Sequence, residues 1–172
     1  IGAIVGSAEI IDKLRKYPLL RALRVDKMTL AAFEATLRLY LKGKEDQIPT
    51  ISMVFANPEE LKKKAQNFAR RMRAFFSKTK LRSVSIAVAE TTDAVGGGTF
   101  PQSELKGYAV SLKIPELGST GKLAEHLRLA TMPVVTGASD DRLLFHMRTL
   151  TLDDEKWILK SFTEILTPTE GN

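Results

Sequence analysis

Tyr17-Pro18-Leu19-Leu20-Arg21-Ala22-Leu23-Arg24-Val25-Asp26-Lys27 decides how the chain begins to fold. Pro18 lacks an amide donor and its ring clashes with a preceding helical turn. It therefore ends the amphipathic stretch Ala8 to Tyr17, in which Ile10, Ile11 and Leu14 are the apolar positions. Asp26 is a residue type that caps a helix start, and it predicts a long helix from Lys27 to about Leu41. Between these signals, Leu19 to Val25 reads as an irregular or short helical connection carrying Arg21 and Arg24. Apolar neighbours predict burial, and a buried cation is costly without an anion beside it. Guanidinium grips carboxylate or phosphate through two parallel hydrogen bonds. Arg21 and Arg24 thus read either as an anion site or as half of a structural ion-pair network.

Upstream, Ile1 to Val5 reads as a short buried strand, with Ser7 as an N-cap. Downstream, Leu30, Phe33, Leu37 and Leu41 share one stripe of the long helix, and Met28, Ala31, Ala32, Ala35 and Leu39 fill much of the rest. Such a helix is expected to be buried by more than one neighbour, either as a central core helix or at a subunit interface. Gly43 to Gln47 is a polar break, and Pro49 leaves the state of Ile48 to Phe55 open.

Asn57-Pro58-Glu59-Glu60 is the clearest helix start: cap residue, proline at the first position, glutamate three after the cap. That helix is expected to run to about Ser77, with Leu61, Ala65, Phe68, Met72 and Phe75 facing inward. Lys62, Lys63, Lys64, Arg70, Arg71 and Arg73 make it the densest basic patch in the chain. The plainer reading is a solvated helix face; the functional one is contact with an RNA phosphate backbone. Val84 to Ala89 and Tyr108 to Ile114 alternate as strands do, and Thr91 to Gly98 reads as loop. Thr120 to Leu129 reads as a helix. Pro133 to Thr136 and Leu143 to Met147 read as a strand pair around Ser139-Asp140-Asp141. Asp153 to Leu166 is the closing helix, with Trp157, Ile158, Phe162 and Ile165 inward, and the tail from Thr167 is expected to fray. The sum is an α/β or α+β two-layer domain.

The chain has 172 residues, no cysteine and two histidines, His126 and His146. Disulfides, thiol catalysis and cysteine-ligated metals are excluded, and a histidine-rich metal site is disfavoured. Both histidines read as structural. The net charge of +6 permits attraction to a polyanion without proving it. No apolar run is long enough to cross a bilayer and no signal-like leader is visible, so a reducing cytoplasm is expected and no membrane partner. A start at Ile1, inside an expected strand and without Met, suggests the C-terminal piece of a longer protein. Gly96-Gly97-Gly98 permits close backbone approach to a ligand. Neither a Walker lysine nor a dinucleotide fingerprint accompanies it, so a turn between strands is the plainer reading.

Three segments carry a family resemblance. They are Ile1-Gly2-Ala3-Ile4-Val5-Gly6-Ser7 with the arginine run and the helix after it, Val95-Gly96-Gly97-Gly98-Thr99-Phe100-Pro101, and Pro133-Val134-Val135-Thr136-Gly137 with Arg142-Leu143-Leu144-Phe145. In that order the chain resembles the bacterial selenocysteine synthases, the L-seryl-tRNA(Sec) selenium transferases. The resemblance implies the C-terminal part of a fold-type-I enzyme of the aspartate aminotransferase superfamily, dependent on pyridoxal 5'-phosphate. A long helix would be followed by a small mixed sheet packed with helices. Residues 1–45 would be the end of the large cofactor-binding domain with its linking helix, and 46–172 a small C-terminal α/β domain. Arg21 and Arg24 match the arginines with which that family holds selenophosphate. Gly96, Gly97 and Gly98 would lie near the active site. The cofactor lysine would lie upstream of Ile1, which makes Lys27 a different lysine and leaves this piece inactive alone. Selenocysteine tRNA and a ring-like homo-oligomer with active sites between subunits are the implied partners. Two alternatives are a related lyase acting on a phosphorylated sugar acid and a non-enzymatic basic RNA-binding or assembly module.

Overall fold

The computed structural model describes residues 2–95 and 100–167, and the side chains of these except 100–103. It divides into two compact units, Ile1–Ser52 and Met53–Asn172.

The first unit is helical. α1 (Ala8–Arg15) is followed by a 3₁₀ turn over Pro18–Arg21 and by α2 (Lys27–Leu41). A second 3₁₀ turn covers Glu45–Gln47, and α3 (Pro49–Val54) starts on its proline and crosses the division between the units. Asp26 caps α2 as its residue type demands, accepting from the amides of Met28 at 2.8 Å and Thr29 at 2.9 Å and from the Thr29 hydroxyl at 2.7 Å. Two expectations fail here. Gly2 to Gly6 forms no strand, because a strand is held by a ladder partner and the described residues of this unit offer none; Ile4 and Val5 are exposed. Within this chain the apolar arginine segment and α2 are not buried either, so α2 is no central core helix of it. No described residue of the unit is buried, and Leu23, Leu30 and Leu41 are at least half exposed. Ser7 holds the expected N-cap position of α1, without a side-chain cap bond.

The second unit carries its own core. α4 (Pro58–Phe76) starts on the Asn57 side chain, which accepts the Glu59 amide at 2.9 Å. It buries Leu61, Ala65, Phe68, Ala69, Met72 and Phe76. Phe76, not Phe75, completes the inward stripe; Phe75 packs at its edge. β1 (Ser85–Val95) and β2 (Phe100–Lys113) form a long antiparallel hairpin, α5 (Thr120–Leu129) follows, and β3 (Gly137–Ser139) and β4 (Arg142–His146) form a short one. α6 (Leu152–Leu166) closes the described chain behind a capping box of Thr151 and Asp154.

The sheet order is β1-β2-β4-β3, antiparallel throughout. The sheet is therefore not mixed. Hairpin links give antiparallel neighbours directly, whereas a parallel pair needs a crossover. Tyr108, Val110, Leu112, Leu143, Phe145 and Met147 join the residues of α4, α5 and α6 in one cluster. Phe68, Phe76, Phe145 and Phe162 meet edge to face there, with centroids 5.1 to 6.4 Å apart. This is the two-layer α/β arrangement read from the sequence.

Three strand boundaries differ from expectation. Thr91 to Val95 continues β1 because residues before Tyr108 extend β2 to pair with it, from Thr91 against Gly107 to Val95 against Phe100. β4 pairs only with Ala109 to Leu112, so beyond them the hairpin is a two-stranded ribbon. Pro133 to Thr136 is not a strand. Pro133 has no amide to donate, and the Val134 amide is taken by the Leu127 carbonyl at 2.9 Å. The turn at Asp140 and Asp141 is as read, both with positive φ (50° and 56°), the pattern of a two-residue hairpin. On α6, Glu155 is fully buried and Trp157 is 39% exposed, the reverse of an ordinary apolar stripe. Gly96, Gly97 and Gly98, and residues 168–172, lie outside the described residues.

Candidate anion site

The end of α1 and the connection to α2 enclose a concavity of about 730 Å³. Arg15, Lys16, Tyr17, Arg21 and Arg24 line it, with Pro18 and Leu20 as its apolar part. Pro18 sets this shape by ending α1 and opening the 3₁₀ turn whose last residue is Arg21. Among the described residues no carboxylate lines the concavity. Lys13 is paired with Glu9 at 2.7 Å, and Arg15 reaches Asp12 only at 3.9 Å. Arg21 and Arg24 have no carboxylate within 4.0 Å among the described residues, so no structural ion-pair network involves them there.

The acid nearest in sequence, Asp26, is committed to capping α2. Hydrogen bonds from the Thr29 amide and hydroxyl, then from Met28, hold its carboxyl below the usual aspartate range. It is a satisfied anion and not a counter-ion for the arginines. Lys27 is exposed at the first turn of α2. A Schiff-base lysine needs a desolvated, less basic amine, so these residues do not fit pyridoxal phosphate as its covalent anchor. What they fit is a free oxyanion, because two forked guanidinium groups can each give it a pair of hydrogen bonds.

The basic face of α4, within the second unit, divides in two. Arg71 is paired with buried Glu155, Arg73 donates to the Ile86 carbonyl at 3.0 Å, and Lys64 donates to the carbonyls of Met147 (2.9 Å) and Leu150. Burial pushes the Lys64 ammonium below its ordinary pKa, with nearby Asp154 opposing. These three cations tie α4 to the strands and to α6. Lys62, Lys63 and Arg70 stay exposed; Lys62 lies 5.9 Å from the Tyr108 ring centroid, and Arg70 donates to Asn67 at 3.1 Å. Three of the six cations are thus engaged with other parts of the unit, and three are not.

His126 is exposed. His146 is in a network that sequence reading missed: its Nδ1 is 3.1 Å from Asp93, whose other oxygen accepts Arg148 Nε at 2.7 Å. Arg148 also donates to the Met53 and Lys106 carbonyls, each at 2.7 Å. Across the ribbon stands Gly107, where a Cβ would lie 2.7 Å from the Asp93 carboxyl carbon. The network ties strand backbone together. No group of three His, Asp or Glu among the described residues could hold a metal ion. No helix among them is long and apolar enough to cross a membrane.

Comparison with known proteins bears on the same residues. Residues 1–151 match the family described as L-seryl-tRNA selenium transferase. An L-seryl-tRNA(Sec) selenium transferase of Maridesulfovibrio salexigens is 40% identical over 167 residues, 96% of this chain and 35% of the relative. Proteins of the same name from Aquifex aeolicus and Clostridium botulinum are each 36% identical, with the same shares covered. The chain thus spans about a third of the length of the curated relatives it matches.

Proposed function

The chain belongs to the L-seryl-tRNA selenium transferase family, and from that premise we propose that its full-length protein converts seryl-tRNA(Sec) to selenocysteinyl-tRNA(Sec), with selenophosphate as selenium donor. In this reading the first unit closes a large fold-type-I domain and the second is the small C-terminal domain. Pyridoxal phosphate is held by a lysine upstream of Ile1, and the protein works as a cytoplasmic homo-oligomer with sites between subunits. This piece alone is inactive.

The observation that carries the reading for this chain's own residues is the cationic concavity without a lining carboxylate. Selenophosphate is a phosphate-like anion. Arg21 and Arg24 would take its oxygens by forked hydrogen bonds, neutralise its charge and fix the direction in which selenium faces its acceptor. Asp26 helps by being occupied. A free carboxylate in its place would compete with the donor for the guanidinium groups. The alternative of a non-enzymatic basic RNA-binding module built on α4 is weakened because Lys64, Arg71 and Arg73 are committed within the fold.

Arg21→Ala and Arg24→Ala in the full-length protein are each expected to abolish selenium transfer while leaving the cofactor's visible absorbance intact. Normal transfer by both variants would remove the clamp from the mechanism.

A further inference from the structure

A single tetrahedral oxyanion fills only a small part of the arginine concavity, whose roughly 730 Å³ is in the range of pockets that take whole small molecules. Arg21 and Arg24 account for part of its lining. Three consecutive residues of different chemistry supply more of it. Arg15 closes α1, Lys16 is its C-cap residue, and Tyr17 precedes Pro18 with 60% of its surface exposed. Lys16 has no carboxylate within 4.0 Å among the described residues, and Arg15 has only the distant contact with Asp12. Two cations beside an exposed aromatic ring match the two parts of a single-stranded nucleotide: cations take the backbone phosphate, and an aromatic face stacks on the base.

We propose that Arg15, Lys16 and Tyr17 form a second subsite of the concavity, one that takes the 3'-terminal nucleotide of the aminoacylated RNA. Its phosphodiester lies on Arg15 and Lys16, and its base stacks on Tyr17. The inference rests on the selenium-transfer reading of Arg21 and Arg24. It adds a reason for the size of the concavity: the nucleotide bearing the amino acid and the anionic donor occupy neighbouring parts of one cationic surface.

The test is direct binding of selenocysteine tRNA to the full-length protein, measured with intact tRNA and with tRNA lacking its 3'-terminal adenosine. With the wild type, removing that nucleotide should weaken binding about tenfold, the scale of one lost base stack with its phosphate contact. In a Tyr17→Ala variant and in an Arg15→Ala/Lys16→Ala double variant, the same truncation should cost much less, and Tyr17→Phe should behave as wild type. A truncation penalty that is equal in the wild type and both variants overturns the subsite, as does no penalty in the wild type. The selenium-transfer reading fails separately, when the full-length protein binds the tRNA but yields no selenocysteinyl-tRNA from selenophosphate.

Discussion

α2 and α4 begin equally well and end up in opposite surroundings. Each has a side-chain cap, Asp26 for one and Asn57 for the other. α4 is studded with lysine and arginine yet buries six residues, while α2, apolar on several sides, buries none. Local signals decide that a helix forms and where it starts. Burial is decided by what lies across from it. The second unit supplies its own sheet as that partner, and the first contains no layer to pack on. The exposed apolar side chains of α2 find no cover among the described residues of this chain, which spans about a third of the length of its relatives.

Hydrogen exchange on the 172-residue chain probes this contrast most strongly. Amides of α4, β2 and α6 should exchange only through global unfolding, and those of α1 and α2 should exchange orders of magnitude faster through local opening. Protection of α2 equal to that of α4 would break the comparison. A smaller effect comes from truncating one phenylalanine in each unit. Phe68 is fully buried against Phe145, so Phe68→Ala should cost about 3–5 kcal/mol in denaturant unfolding. Phe33 is only partly covered, and Phe33→Ala should cost less than about 1 kcal/mol in this chain. Equal losses would mean that α2 shares the core.

What was legible in the sequence follows the same division. Caps, proline stops and helical stripes are local, and they place α2, α4, α5 and α6 within a residue or two. The Asp140-Asp141 turn is local as well. Pairing is not. The continuation of β1 through Thr91 to Val95 depends on the residues opposite it, and the shift from Pro133–Thr136 to Gly137–Ser139 depends on one amide captured by Leu127. Glu155 stands with Asp153 and Asp154 in the first turn of α6, where negative charge favours the helix dipole. Its burial is explained only by Arg71, far away in sequence on α4, since a buried carboxylate without a cation is costly. Of the candidate site, Arg21 and Arg24 were visible as charges in an apolar run. Arg15, Lys16 and Tyr17 were not, because only the turn at Pro18 brings them round to the same concavity.

Acid separates the units by the smallest margin. Burial pushes the Asp93 carboxyl upward, but hydrogen bonds from Arg148, His146 and Thr91 and the charge of Arg148 outweigh it, so its pKa lies below the ordinary aspartate value. A carboxyl depressed in the folded state stabilises the fold above its unfolded pKa, near 3.9, and that contribution fades as pH falls through the lower folded value. Global stability should therefore drop as pH falls below about 4, and the drop should be shallower in Asp93→Asn, which starts lower but has less to lose. Equal slopes in denaturant titrations across that range would remove Asp93 from the acid response. Asp26 is depressed in the same direction by its cap bonds, but it is exposed and stands in a unit none of whose described residues is buried. Its protonation should fray the first turn of α2, visible as a local loss of helix, and leave the unfolding midpoint of the second unit where it was. The same chemistry at two carboxylates thus reads out globally only where a core couples it to the rest of the fold.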